Sequence, residues 1–155
     1  MKKVDAVLLD VVSGEAKKSE RLRKNFNFHS IYDDPINRML NAFEPETYVQ
    51  PHKHEDPDKV EVFVLLRGKA LVVEFDNTGK ITDYVLLSRD NSLAVEIPER
   101  VWHTIISLEQ DTVLYEIKQG PYVQAADKNF ALWAPKEGDA DCMLYNQNIL
   151  KKLGF

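Results

Sequence analysis

The sequence predicts an all-β fold, a small jelly-roll barrel with a helix before it and a packed extension after it. Three observations carry that expectation. Short apolar, β-branched runs recur from about Ile36 onward at regular spacing, separated by turn residues. Asp76-Asn77-Thr78-Gly79 between two such runs is a strong hairpin signal. Helical periodicity, by contrast, is confined to the start, where Val4, Val7/Leu8, Val11/Val12 and Ala16 recur every three or four residues.

Taken in order, residues Val4 to about Lys17 read as a helix, with Asp5 favouring its N-terminus and Gly14 weakening its later part. The basic run Lys17-Lys18, Arg21 and Arg23-Lys24 reads as a solvated helix face. Strands are expected over Ile36–Phe43, at Thr47-Tyr48-Val49 after a Pro45-Glu46 turn, and over Val60–Leu66. Gly68 then allows a tight turn into Ala70–Phe75. Ile81–Leu87 returns from the hairpin, and Leu93–Ile97, His103–Leu108 and Thr112–Lys118 follow. The tail from Gly120 is less periodic. Its last apolar group, Ile149-Leu150-Leu153-Phe155, reads as a short helix covering the barrel or meeting a partner subunit. The expected organisation is one domain over residues 1–155, with a lead-in at 1–30, a barrel core at 31–120 and an extension at 121–155.

The chain has 155 residues, 44% hydrophobic and 29% charged, which fits a soluble globular protein rather than a disordered one. A net charge of -5 argues against nucleic acid as a partner. The single cysteine, Cys142, reads as a small, partly buried side chain. No signal peptide or membrane-length apolar run is evident, so the expectation is a cytoplasmic protein with no membrane partner. A homodimer through an edge strand or the last helix would suit the pattern.

The chemistry concentrates in Pro51-His52-Lys53-His54, Glu61 and His103, which use three of the four histidines. On a strand, His52 and His54 project to one face. With an imidazole from a later strand and a carboxylate they make an N3O set suited to one divalent ion, Fe, Zn, Mn or Ni. Glu61 sits in an apolar run, where an unpaired carboxylate is costly, so it should face a cation. It reads as a metal ligand, as a carboxylate orienting an imidazole, or as a catalytic general base beside a metal-bound water.

These residues resemble the two sequence motifs of the cupin superfamily. The first reads His52, His54, Glu61, Gly68, with Glu55-Asp56-Pro57-Asp58-Lys59 as a turn extension inside it. The second reads Pro98 to His103 and on to Ser107, with Arg100 in place of a glycine and Ser107 in place of an asparagine. Tyr48 to His54, Glu61 to Gly68, Trp102-His103-Thr104, Gly120-Pro121-Tyr122, Asp127 to Phe130 and Trp133-Ala134-Pro135 look like WbuC-type cupin-fold metalloproteins, over roughly Arg21 to Pro135. The resemblance implies a double-stranded β-helix, with His52, His54, Glu61 and His103 on one metal. It also implies a setting in bacterial surface-polysaccharide biosynthesis.

Around the metal, Arg38, Tyr48, Trp102, Lys118 and Tyr122 are candidates for a substrate pocket. His29 reads as structural, in a turn hydrogen bond, or as a rim residue. Two classes of function stay open. One is a metal-dependent enzyme acting on a small sugar-like molecule, as isomerase, epimerase, hydrolase or, with iron, dioxygenase. The other is a metal-containing module that binds a small ligand without turnover.

Overall fold

We describe the protein from a computed structural model, which covers residues 1–122 and 128–155. In chain order the elements are α1 (Ala6–Lys18), β1 (Arg23–Asn27), β2 (Ile36–Phe43), β3 (His52–Lys53), β4 (Glu61–Arg67), β5 (Ala70–Phe75) and β6 (Ile81–Leu87). Then come β7 (Ala94–Ile97), β8 (Trp102–Ser107), β9 (Thr112–Gln119), β10 (Asn129–Phe130) and α2 (Cys142–Leu153). Two five-stranded antiparallel sheets, β1-β2-β9-β4-β7 and β10-β3-β8-β5-β6, face each other as the two halves of a jelly roll.

The alternation along each strand explains the layers. Phe63 and Leu65 of β4, Leu114 of β9, Ala70 and Val72 of β5 and Ile105 of β8 point inward and form the apolar core between the sheets. The opposite faces are covered by the helices. Asp5 caps α1 by accepting the Leu8 backbone N–H at 3.0 Å, and Val12 and Ala16 pack on Phe28, Leu40, Ala42 and Val113. Arg67 ties that helix down. Its guanidinium donates to Asp10 Oδ1 (2.6 Å), the Leu9 carbonyl (3.0 Å), Ser13 Oγ (2.5 Å) and the Asp111 carbonyl (2.9 Å). On the other sheet, Ile149, Leu150 and Leu153 of α2 pack on Leu71, Val73, Phe75 and Ile106. This helix starts seven residues before the apolar group that announced it, and Gly154 closes it in the left-handed region, at φ 85°.

Two tight turns follow their residue chemistry. Asp76 accepts from the Thr78 and Lys80 backbone N–H groups at 2.8 and 3.0 Å, closing the β5–β6 hairpin. Gly68 has φ 81°, and a Cβ there would lie 2.7 Å from Thr112 Cα, so both conformation and space require glycine.

Other expectations need correction. Only Lys17 and Lys18 of the basic run lie on the exposed helix. The helix ends at Lys18, Leu22 turns the chain at φ 52°, and Arg23-Lys24 opens β1, a strand the sequence reading passed over. Thr47-Tyr48-Val49 forms no strand, because side chains satisfy its backbone instead. Arg23 donates to the Tyr48 carbonyl (2.5 Å), Thr104 Oγ1 to the Val49 carbonyl (2.5 Å) and Asn146 to the Thr47 carbonyl (3.1 Å).

Candidate metal centre

Glu61 opens β4, His52 opens β3 and His103 follows the first residue of β8. His52 lies directly opposite His103 across the β3–β8 pairing. His54 follows β3, and its carbonyl accepts the Arg100 backbone N–H at 3.0 Å. Arg100 takes φ 65° there, the left-handed conformation that explains why the motif ordinarily carries glycine. Its guanidinium is held by Asp58 at 2.9 Å.

The four side chains converge. One ligand atom from each of His52, His54, Glu61 and His103 lies within 4.8 Å of all the others, and all four residues are buried. The imidazoles are oriented from behind. His52 Nδ1–H donates to the Gln50 carbonyl (3.0 Å) and His103 Nδ1–H to the Val101 carbonyl (2.9 Å), which turns both Nε2 atoms inward. Nε2 of His103 and of His54 lie 3.0 and 3.3 Å from Glu61 Oε2. Nε2 of His52 is buried with no hydrogen-bond partner among the described residues. A buried, oriented, unanswered imidazole nitrogen beside a carboxylate is what a divalent ion would complete, so the residues fit a metal.

The electrostatics agree. Burial, with the nearby Lys128 charge, holds the His52 imidazole well below its ordinary value, so it is neutral, the ligating form. Burial alone would raise the Glu61 carboxyl, but hydrogen bonds from His103 and His54 outweigh it and hold the group well below the usual range. Glu116, inward on β9, shows the opposite balance. Burial and the charge of Glu61 push it up to about 8. It accepts a hydrogen bond from Asn41, and Lys118 Nζ lies 3.6 Å from it.

The centre opens into a cavity of about 410 Å³ walled by the first sheet and the start of the tail. Of the pocket candidates, Lys118 and Tyr122 line it. Arg38, Tyr48 and Trp102 do not. Arg38 alternates outward between Asn37 and Met39 and is held by Asp34 and the Ile36 carbonyl. Tyr48 donates to the Pro135 carbonyl at 2.7 Å. Trp102, next to His103, necessarily faces the other side of β8, where it donates to Asn77 (2.9 Å) and packs on Trp133. His29 has both expected features. It receives the Arg38 backbone N–H on Nδ1 at 3.2 Å, and it lines the cavity. Asp127, part of the family resemblance, lies outside the described residues.

The sequence reading missed Glu116, Asn37, Asn41 and the β1 residues Arg23, Asn25 and Asn27 on the cavity wall. Period-two alternation around Glu61 and along Thr112–Gln119 could have found Glu116, and the same count along Ile36–Phe43 could have found the asparagines.

Comparison with known proteins adds the following. A family model described as a domain of unknown function (DUF6016) matches residues 4–87. No curated protein matches the sequence. Among solved structures, the capsular polysaccharide assembling protein CapF from Staphylococcus aureus is 19% identical with a TM-score of 0.55, over 70% of this chain and 28% of that one. An L-ribose isomerase from Cellulomonas parahominis, solved with L-psicose, is 13% identical with a TM-score of 0.54, over 72% and 70%. Protein SO0799 from Shewanella oneidensis is 8% identical with a TM-score of 0.52, over 70% and 72%. At such identities the likeness establishes the fold alone, a cupin jelly-roll barrel.

Proposed function

The chain belongs to the family described as a domain of unknown function (DUF6016), and from that premise we propose a metal-binding cupin that holds one divalent ion and takes a small sugar-like molecule against it. The observation that carries the reading is the convergence of His52, His54, Glu61 and His103, with His52 Nε2 buried and unanswered. A bound divalent ion would supply Lewis-acid polarisation of a ligand oxygen. The protein's own part is to orient the imidazoles through backbone carbonyls, keep Glu61 ionised, and wall the cavity with amides and charges.

The sugar-like ligand and a surface-polysaccharide setting rest on the WbuC-type likeness and on what the names of CapF and the ribose isomerase say of those proteins. Within the proposal Glu61 is a ligand. The acid or base for turnover is then Glu116, a carboxyl outside the ligand set on the same wall. That position favours an enzyme over a passive binding module. The proposal also places the protein in the cytoplasm as a homodimer, which light scattering on the purified chain tests. No helix among the described residues is long and apolar enough to cross a membrane.

The deciding experiment is elemental analysis of untagged protein beside a His52→Ala, His54→Ala variant. The expected outcome is about one divalent ion per chain, lost in a folded variant. Little metal in both proteins after reconstitution would return these histidines to structural roles. Iron would direct assays to dioxygen chemistry, and zinc, manganese or nickel to sugar isomerisation or hydrolysis.

A further inference from the structure

Asn37 is buried to 1% exposure on the cavity wall, and neither its amide nitrogen nor its carbonyl oxygen has a hydrogen-bond partner among the described residues. Its neighbour Asn41, two positions inward on the same face, is answered by Glu116. Buried amides left without partners cost stability, and folds keep them where something else supplies the bonds.

The sheet register shows where that something would lie. Asn37 of β2 is directly opposite Lys118 of β9, and Lys118 is directly opposite Glu61 of β4. The three residues therefore form one row across adjacent strands, ending at the metal centre. Two strand spacings separate the Asn37 and Glu61 backbones, about 10 Å. Lys118 stands between them on the same face and lines the same cavity, so a small molecule lying along the row would meet all three side chains.

A carboxamide presents one N–H donor and one carbonyl acceptor side by side. Its complement carries a donor and an acceptor on adjacent atoms. A carboxylate only accepts and would leave Asn37 Oδ1 unanswered. An ammonium only donates and would leave Nδ2 unanswered. Two neighbouring hydroxyl groups answer both, and the polar wall of Asn25, Asn27, His29 and Lys118 suits a polyhydroxylated ligand better than a flat apolar ring.

We propose that Asn37 is a ligand-binding residue whose carboxamide grips a vicinal diol, holding a small polyhydroxylated molecule with its other end at the His52, His54, Glu61, His103 centre. The proposal rests on the metal-binding reading and names the chemistry that the cavity selects.

The test uses metal-reconstituted full-length protein, with calorimetry and thermal melts in free aldopentoses and aldohexoses, their deoxy analogues lacking one hydroxyl, succinate and adenine. At concentrations well above ordinary KM values, at least one sugar should bind and its deoxy analogue should bind roughly tenfold more weakly. Succinate and adenine should not bind. Asn37→Leu should lose sugar binding by roughly tenfold or more with its metal content unchanged. Without ligand, Asn37→Leu should melt about 2–4 °C higher than the native chain, because an unanswered amide has been removed. Asn37→Ala serves as a second variant should leucine not fit, and should lose sugar binding to the same degree.

Sugar binding undisturbed in both variants, adenine or succinate binding in place of a sugar, or no response to any diol would overturn the proposal. Asn37-dependent sugar binding by a wild-type protein that takes up no metal would instead sink the metal reading and leave the role of Asn37 standing.

Discussion

The two ends of the barrel interior are built from the same strands and behave as opposites. Along β4 the inward residues run Glu61, Phe63, Leu65; along β9 they run Lys118, Glu116, Leu114; along β8, His103 gives way to Ile105. One end closes into an apolar core with Leu114 and Ala70 fully buried. The other gathers four side chains that could hold a metal, a second buried glutamate and unanswered polar atoms on His52 and Asn37. The difference teaches that stability and chemistry are divided along each strand, not between strands. The apolar half holds the backbone rigid enough for the polar half to carry groups that oppose folding.

That division is open to attack from either end. The largest effect should come from Leu114→Ala, about 2–5 kcal/mol of stability by urea denaturation, while the folded fraction keeps its metal. Metal loss in that folded fraction would mean the two ends are not separable. Next, a chelator should destabilise the loaded wild type, by up to about 4 kcal/mol if metal stood at a thousand times its dissociation constant, read as a lower melting temperature, and leave His52→Ala unmoved. A chelator response in that variant would place the stabilising ion elsewhere.

Gly68→Ala should cost about 1–3 kcal/mol, because it strains the backbone and drives a methyl group at Thr112 at the apolar end. A neutral result would show that the β4–β5 turn can shift freely. The smallest effect belongs to Glu137, whose carboxylate takes Arg21 at 2.5 Å and Arg23 at 2.8 Å at the polar end. Burial raises its pKa, but the two guanidinium groups outweigh that and hold it below its ordinary 4.5. The folded value is depressed, so this contribution is present above about pH 4.5 and lost as pH falls through the folded value. Melting temperatures of Glu137→Gln should therefore fall less steeply than wild type on acidification, and equal slopes would remove the pair from the account.

The strands and the four side chains that converge were legible because each rests on local rules. β5 and β6 begin and end where the apolar runs do, and His52, His54, Glu61 and His103 announce themselves by spacing. What the sequence concealed depended on partners distant in the chain. β1 carries Lys-Asn-Phe-Asn, with a single apolar residue, and is a strand because Ile36–Phe43 offers it an edge. The tyrosine, arginine and tryptophan nominated for the pocket were chosen by type. Two of them, Arg38 and Trp102, are immediate neighbours of inward residues, so alternation already placed them outside. The raised Glu116 carboxyl arises from burial, with the charge of Glu61 beside it, which no local pattern encodes.

The stretch carrying two of the ligands is fastened largely by residues that come much later. Asn146 holds the Thr47 carbonyl, the Pro135 carbonyl holds Tyr48, the Ala131 carbonyl holds Gln50, and the Ala131 backbone N–H holds the Pro51 carbonyl. His52 itself sits in a two-residue strand clasped between β8 and β10. On the ribosome, therefore, the barrel wall offers this segment Arg23, Arg100, Thr104 and the β8 pairing first, and the holds from Ala131, Pro135 and Asn146 only later. On the proposed metal-binding reading, a nascent chain halted before Asn129 would present His52 and His54 without β10 and the later holds, and would keep an ion less well than the longer chain.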